Sequence, residues 1–119
     1  MNVAILGASD KPDRYAYLAF ALLREKGHQV FPVNPHLDQI DGVKAAHSLK
    51  DLSENIHTVT VYVNKSRSDV VLKDLIALGP KRVILNPGAE NDTLEEAARV
   101  AGIEVLKACT LVLLRTNRF

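Results

Sequence analysis

The turn after the first apolar run of the chain carries residues that could hold a phosphate group. The run ends at Leu6, and small residues, a hydroxyl and a lysine follow in the order Gly7-Ala8-Ser9-Asp10-Lys11-Pro12. A segment with helical spacing begins directly afterwards. Glycine lets a backbone approach an anion closely, and the free N–H groups of a helix N-terminus carry partial positive charge. The sequence therefore predicts a strand, a phosphate-binding turn and a helix, with a nucleotide-like ligand.

Cations are concentrated on two of the segments that follow predicted strands. Lys11 and Arg14 come after the first strand, and Lys65 and Arg67 come after the third. The chain has 15 basic and 14 acidic residues, so its formal net charge is only +1. Ligands of open α/β sheets bind beyond the carboxyl ends of the strands. The pattern favours a ligand with several phosphate charges, although solvated surface cations remain the alternative.

The elements that would position these residues alternate along the chain. Apolar runs predict strands at residues 2–6, 29–33, 57–63, 82–85 and 103–106. Apolar residues at helical spacing predict helices at 14–26, 66–78 and 92–101, which end at Gly27, Gly79 and Gly102. Residues 34–56 are less regular, with a short strand at 43–45 and a short helix between Ser48 and Leu52. The repeated order of helix, glycine and strand predicts an α/β fold with a parallel sheet.

The bulk composition excludes several classes of protein. With 119 residues, we expect one domain over residues 1–119. The balanced charge argues against a nucleic-acid or membrane-surface binder. The single cysteine fits a reducing compartment, and no leader or membrane-length apolar run is evident. We therefore expect a soluble cytoplasmic domain whose partner is a small molecule, with a homodimer or a protein partner left open.

Three established nucleotide and phosphoryl sites fit the chain poorly. A Rossmann dinucleotide fingerprint needs three glycines and an acidic residue after the second strand, but only Gly7 is present and that strand ends at Asn34. A Walker phosphate loop lacks its second glycine and lysine. A receiver-type phospho-acceptor would need an aspartate where Asn64 stands. A small NAD(P)-dependent oxidoreductase remains the enzymatic alternative.

The residues that could perform catalysis form no recognisable constellation. The four histidines show no metal-ligand spacing. His28 and His57 precede strands and are expected at the surface, whereas His36 lies on a predicted ligand-facing loop. Cys109 is either a small buried apolar residue or a thiol close to the ligand.

Several segments together resemble the CoA-binding domain family, which includes the N-terminal domain of the succinyl-CoA synthetase α subunit. The resemblance covers essentially the whole chain. It rests on Ile5-Leu6-Gly7-Ala8-Ser9 with Lys11-Pro12, on Val30-Phe31-Pro32-Val33-Asn34-Pro35, on Val59-Thr60-Val61-Tyr62-Val63, on Leu85-Asn86-Pro87-Gly88-Ala89-Glu90, and on Cys109.

The resemblance implies a three-layer Rossmann-like domain with a mostly parallel five-stranded sheet and CoA, or an acyl-CoA, across the strand ends. It implies a role in ligand binding for each matching position. The diphosphate would be held by Gly7, Ala8, Ser9 and Lys11, and the charge pattern adds Arg14. The adenosine would lie beside Val33, Asn34 and Pro35, and the groove would be lined by Tyr62, Val63 and Asn64, with Ser66 near phosphate or ribose. The pantetheine would be flanked by Asn86, Gly88 and Glu90. Cys109 resembles the cysteine of the synthetase Asn-Cys-Pro segment.

Departures from the family pattern shape the functional hypothesis. Leu37 replaces a lysine that some members carry, and Ala108 and Thr110 replace the asparagine and proline around the cysteine. The synthetase takes its phosphohistidine from a second domain, which we do not expect in a chain ending at Phe119. We therefore expect CoA binding without catalysis or metal. A regulatory or assembly module with an empty pocket is the other alternative, and the apolar residues 111–114 are expected in the core rather than at a dimer surface.

Overall fold

A five-stranded parallel sheet with helices on both faces organises the computed structural model, which describes residues 1–119. The strands are β1 (Asn2–Leu6), β2 (Gln29–Val33), β3 (Gln39–Ile40), β4 (Val43–Lys44), β5 (Thr58–Val61), β6 (Arg82–Leu85) and β7 (Glu104–Lys107). The helices are α1 (Tyr15–Glu25), α2 (Lys65–Val70), α3 (Leu72–Leu78), α4 (Asp92–Val100) and α5 (Thr110–Arg115), with a 3₁₀ turn at Leu49–Asp51. The strand order is β2-β1-β5-β6-β7, which confirms the Rossmann-like α/β fold. Chain order reverses between β1 and β5, the position where ligands of such sheets bind.

Alternate residues of the central strands build two separate layers of core. Val3 and Ile5 of β1 join Phe20 of α1 and Leu114 of α5 on one face. Ala4 and Leu6 face the other way, into the larger layer that α3, α4 and the 3₁₀ turn cover. Successive side chains of a strand point to opposite faces, so a strand buried on both faces must be apolar throughout. Burial on both faces of the sheet therefore explains the uninterrupted apolar run Val3–Leu6 in β1.

Three predicted elements differ from those in the structure. The helix predicted at 66–78 is two helices, because the chain turns at Val71, whose N–H donates to the Ser68 carbonyl three residues back. The strand predicted at 57–63 ends at Val61, and β7 lies one residue later than predicted. Helix α5 was not predicted, since six residues are too few to show a helical period. Leu111 and Leu114 are buried as expected, whereas Val112 is exposed.

A small hairpin fills the irregular segment after β2. The predicted strand at 43–45 is β4, which pairs antiparallel with the unpredicted β3. Asp41 and Gly42 form the connection with φ angles of +49° and +80°, as a two-residue hairpin turn with positive φ at both positions requires. The hydroxyl of Tyr17 donates to the Asp41 carboxylate, which attaches the hairpin to α1. Ser48 precedes the 3₁₀ turn without capping its backbone, because its hydroxyl donates to the Asp51 carboxylate.

None of the helices is long and apolar enough to cross a membrane.

The amino ends of the strands carry a group of cations around Phe119. The Arg82 guanidinium stacks 4.5 Å from the Phe119 ring centroid, and the His28 ring meets the same ring edge-on at 5.2 Å. His28 and His57 are both half-buried, not surface residues as expected. Burial lowers the pKa of His28, and the N-terminal ammonium adds to this effect. Burial also lowers the pKa of His57, together with the charges of Arg82 and Lys81.

These shifts predict that the protein loses stability in mild acid. Since both folded-state pKa values lie below the unfolded value of about 6.5, the unfolded chain binds more protons as the pH falls through that value. We expect the free energy of unfolding, measured by urea titration, to fall between about pH 7 and about pH 5. The double substitution His28→Gln with His57→Gln should flatten this dependence. His47→Gln is the control, and an equal flattening by it would contradict the assignment.

Candidate functional site

A cavity of about 530 Å³ lies over the carboxyl ends of β1, β2 and β5. It occupies the position where the strand order reverses, as predicted for a ligand site. Its lining comes from the loops after β1, β2, β5 and β6 and from the first turn of α1: Gly7, Ala8, Ser9, Asp10, Lys11, Arg14, Tyr15, Ala16, Asn34, His36, Leu37, Tyr62 and Pro87.

Gly7 is required by close packing between strand ends. Its φ is +88°, and a Cβ atom there would lie 2.7 Å from Val63 Cγ1 and 3.2 Å from the carbonyl carbon of Tyr62. The N–H groups of Gly7 and Ala8 both donate to the carbonyl of Val33, at 3.1 Å each. These two N–H groups are therefore engaged within the protein, contrary to the expectation of a phosphate cradle around Gly7.

The N–H groups that remain open at the cavity come from later in the turn. Those of Ser9, Asp10, Tyr15 and Ala16 have no acceptor in the protein. Tyr15 and Ala16 form the first turn of α1, which contains no acidic residue. Open N–H groups and the helix dipole make such a terminus suitable for an anion.

Two cations and one carboxylate line the same cavity. The side chains of Lys11 and Arg14 are exposed, and neither forms an ion pair. Asp10 is the acidic residue of the lining. Lys65, predicted with them as a ligand cation, lies outside the cavity and pairs with Asp69 at 2.8 Å. This contact, with a hydrogen bond from Asn91, lowers the pKa of Asp69.

The carboxamide of Asn34 joins two walls of the cavity. Its Nδ2 donates to the Ala8 carbonyl at 2.7 Å, and its Oδ1 accepts the N–H of His36 at 2.7 Å. An aspartate at this position could not donate to Ala8. Both polar groups of Asn34 therefore hold the loop after β2 against the turn after β1.

A second carboxamide, that of Asn86, joins the other strand ends beneath the cavity. Asn86 is 2% exposed, and its Nδ2 donates to Thr60 Oγ1 at 2.7 Å and to the Val61 carbonyl at 2.9 Å. Its Oδ1 accepts the N–H of Thr110 at 2.9 Å, and the hydroxyls of Thr60 and Thr110 bond each other at 2.8 Å. This closed network fixes α5 to β5 and β6.

The hydroxyl of Tyr62 is buried in this region without a hydrogen-bond partner. Burial raises the pKa of Tyr62 to about 12, and the neighbouring Cys109 adds to the shift. The hydroxyls of Thr110 and Thr60 lower the pKa of Tyr62, but neither forms a hydrogen bond with the Tyr62 hydroxyl. Tyr62 therefore stays protonated in the physiological range. Cys109, which is half-buried, precedes the first residue of α5.

Several predicted site residues form hydrogen bonds with other residues of the protein outside the cavity. Asn64 caps α2 by accepting the N–H of Arg67, and it also accepts the hydroxyl of Ser66 at 2.9 Å. The Glu90 carboxylate accepts the N–H of Gly88 at 3.0 Å. Residues Val33, Pro35, Val63, Asn64, Ser66, Asn86, Gly88, Glu90 and Cys109 do not line the cavity, although all lie near the ends of the strands.

Seven of the predicted site residues line the cavity, together with six other residues. Those brought together are Gly7, Ala8, Ser9, Lys11, Arg14, Asn34 and Tyr62. The additions are Asp10, Tyr15, Ala16, His36, Leu37 and Pro87. The expected helix start could have identified Tyr15 and Ala16, whose N–H groups are the first of that helix.

A larger cavity of about 920 Å³ lies along the outer edge of β2. Its lining has three carboxylates, those of Asp38, Asp51 and Glu54, against the two cations Arg24 and Lys44. His47 bonds Asp38 at 2.9 Å. This cavity includes neither the turn after β1 nor the start of α1. The smaller cavity at the strand ends is therefore the better candidate for an anionic ligand.

Comparisons with known proteins identify the family to which the chain is similar. A family model described as "CoA binding domain" matches residues 1–115. The chain is 38% identical over 61 residues to the uncharacterized protein YneT of Bacillus subtilis, covering 51% of this chain and 45% of YneT. It is 31% identical over 99 residues to the α subunit of acetate–CoA ligase (ADP-forming) II of Pyrococcus furiosus, covering 82% of this chain and 22% of that subunit. The chain thus spans less than half the length of either relative.

The fold has a near-identical counterpart among solved structures. The crystal structure of an uncharacterized protein superimposes with a TM-score of 0.94 at 38% identity, covering 99% of this chain and 97% of the other. A structure from Thermus thermophilus gives a TM-score of 0.90 at 34% identity, covering 99% and 90%.

The packing around Gly7 predicts a difference between two glycines that both have positive φ. Alanine at Gly88, where a Cβ would meet nothing within 4 Å, should cost only the left-handed strain of about 1–2 kcal/mol. Alanine at Gly7 should cost about 1–3 kcal/mol more, because its Cβ overpacks against Val63 and Tyr62. Urea unfolding of both variants tests this prediction. Equal losses would show that the strand ends separate easily at Gly7.

The unpartnered hydroxyl predicts that Tyr62→Phe stabilises the unliganded protein. Removing a buried donor with no acceptor should raise the free energy of unfolding by roughly 1 kcal/mol, and Tm by several degrees. Tyr17→Phe is the matched control, since its hydroxyl bonds Asp41 and its loss should not stabilise. A lower Tm for Tyr62→Phe would mean that the hydroxyl has a partner in solution.

Proposed function

Because the chain belongs to the CoA binding domain family, we propose that it binds coenzyme A or an acyl-CoA at the carboxyl ends of β1, β2 and β5. The observation that carries the proposal is the cavity that combines the open N-terminus of α1 with Lys11 and Arg14, two cations without a carboxylate partner. Such a site stabilises a ligand with more than one negative charge through charge-assisted hydrogen bonds.

In this proposal the CoA diphosphate lies over residues 9–16. The N–H groups of Tyr15 and Ala16 donate to one phosphate, while Lys11 and Arg14 neutralise the charge from the rim of the cavity. Gly7 and Ala8 contribute shape, since their own N–H groups bond Val33. Ser9 has a restricted role because its hydroxyl already accepts the N–H of Lys11.

The remaining parts of the ligand extend along the strand ends in both directions. The adenosine lies beside Val33, Asn34 and Pro35, whose loop is held by the Asn34 carboxamide. The pantetheine arm leaves the cavity past Tyr62 and Pro87, towards the loop 86–90. Its sulfur ends near Cys109, which neighbours the Tyr62 hydroxyl.

We further propose that this domain binds its ligand without performing chemistry on it. Thr110, which follows Cys109, bonds Thr60 through its hydroxyl and Asn86 through its N–H, and Asn86 also bonds Thr60. No histidine or carboxylate bonds the thiol to act as a base. A nucleophilic cysteine needs such a partner to form its thiolate.

The NAD(P) alternative is disfavoured by the engagement of Asn34. A dinucleotide site uses a carboxylate at the end of the second strand to accept the ribose hydroxyls. Here a carboxamide occupies that position, and its two polar groups bond the Ala8 carbonyl and the His36 N–H. The site therefore lacks the ionised pair of acceptors with which a carboxylate would hold the ribose hydroxyls.

A thermal-shift panel with CoA, acetyl-CoA, NAD, NADP and ATP tests the proposal. At one hundred times its Kd, a ligand adds about 2.7 kcal/mol to stability, which raises Tm by several degrees in a domain of this size. We expect this rise with CoA or acetyl-CoA and none with NAD. A shift with NAD alone would contradict the proposal. No shift with any nucleotide would instead favour a regulatory or assembly module with an empty pocket.

The same proposal predicts a salt-sensitive loss of affinity in Lys11→Ala. Removing one charge-assisted hydrogen bond, about 1.5–3 kcal/mol, should weaken CoA binding about ten- to one-hundred-fold in calorimetry at low salt. The loss should shrink as salt is added. Lys65→Ala is the matched control, because Lys65 pairs with Asp69 outside the cavity. A similar loss in both variants would place the diphosphate elsewhere.

A further inference from the structure

We propose that His36 is a specificity-determining residue, which recognises a phosphate monoester on the adenosine end of the ligand and so distinguishes CoA from its form without the 3′-phosphate. The inference rests on the proposed function. It begins from the one imidazole in the lining of the cavity.

The position of His36 is set by the same residue that joins the cavity walls. Asn34 Oδ1 accepts the N–H of His36 at 2.7 Å, while Asn34 Nδ2 donates to the carbonyl of Ala8 at 2.7 Å. The backbone of His36 is therefore fixed relative to the turn that carries Lys11. Its side chain is exposed at the cavity, so a ligand can reach it without unfolding the loop.

The imidazole of His36 is free, whereas the other three histidines are engaged. His28 Nδ1 lies 3.2 Å from the N-terminal nitrogen, His57 Nδ1 lies 2.8 Å from Thr58 Oγ1, and His47 Nε2 lies 2.9 Å from Asp38 Oδ1. No side chain bonds the ring of His36. It is available to donate to a bound anion.

The charges around His36 favour the binding of a phosphate over the binding of a neutral group. Lys11 and Arg14 face the cavity from the turn after β1, together with the single carboxylate of Asp10. On its own loop, Asp38 is engaged by His47. Tyr62 and Pro87 close the cavity without adding charge. With two cations and one carboxylate, the surroundings of His36 are positive.

Two separate sets of hydrogen-bond donors match two separate anions. Lys11 and Arg14 belong to the turn that the proposed diphosphate occupies, on the α1 side of the cavity. His36 belongs to the loop after β2, directly after the residues beside which the adenosine is proposed to lie. CoA carries a phosphate monoester on its ribose in addition to the diphosphate. A donor on the β2 loop therefore matches this second anion.

Dephospho-CoA isolates this contact, because it keeps the diphosphate of CoA and lacks the phosphate monoester. In that ligand the donor on the loop after β2 has no anion to bind.

Calorimetry with CoA and dephospho-CoA tests the inference. We expect CoA to bind about ten-fold more tightly than dephospho-CoA, the value of one charged hydrogen bond. His36→Gln should bring the ratio of the two affinities close to one. His47→Gln, outside the cavity, should keep the wild-type ratio.

The possible outcomes distinguish a failure of this inference from a failure of the proposed function on which it rests. Equal affinity of the wild-type protein for the two ligands would overturn the role of His36 and leave CoA binding intact. A ratio unchanged in His36→Gln would also overturn it, since another group would then recognise the monoester. Binding of neither ligand would overturn both proposals.

Discussion

The close packing around Gly7 is the constraint on which the rest of the site depends. Three strand ends meet there: the Val33 carbonyl accepts two N–H groups from the turn after β1, and the backbone at Tyr62 leaves no space for a Cβ. This contact brings the loops after β1, β2 and β5 within reach of one ligand. It also directs the chain so that α1 begins with its open N–H groups at the cavity. The geometry of the anion site is therefore a consequence of strand packing.

Two carboxamides, that of Asn34, which is partly buried, and that of Asn86, which is buried, complete the same arrangement. Asn34 joins its loop to the turn after β1 and orders the loop through the His36 N–H, and Asn86 joins β5 to α5. A half-satisfied amide would be costly in these partly dry surroundings, so each network holds its loops in one relative position. The proposed ligand would therefore meet a preorganised surface, whose free groups are the side chains of Lys11, Arg14 and His36 and the N–H groups of α1. Preorganisation of this kind lowers the entropic cost of binding.

Comparison of the expected and observed elements shows which features can be predicted from sequence patterns. The strands β1, β2 and β6 and the ends of the three longer helical segments follow from apolar runs and helix-ending glycines. The break at Val71 does not, because neither a glycine nor a gap in the apolar spacing marks the turn at which the Val71 N–H bonds the Ser68 carbonyl. Strand β4 matches the short strand predicted at 43–45, whereas β3 and α5 are not predicted. Both β3 and α5 are short, and packing against α1 holds both.

The sequence by itself determined the fold class, the family and the edge of the sheet where a ligand would bind, because periodicity and motif order are properties of neighbouring residues. The tertiary structure alone decided which polar groups remain free at that edge. Asn34, Asn64, Asn86 and Glu90 have the residue types of ligand contacts, yet their hydrogen bonds are used within the protein. Hydrogen-bond capacity is limited, and only the three-dimensional arrangement determines whether a partner from another strand has already used it.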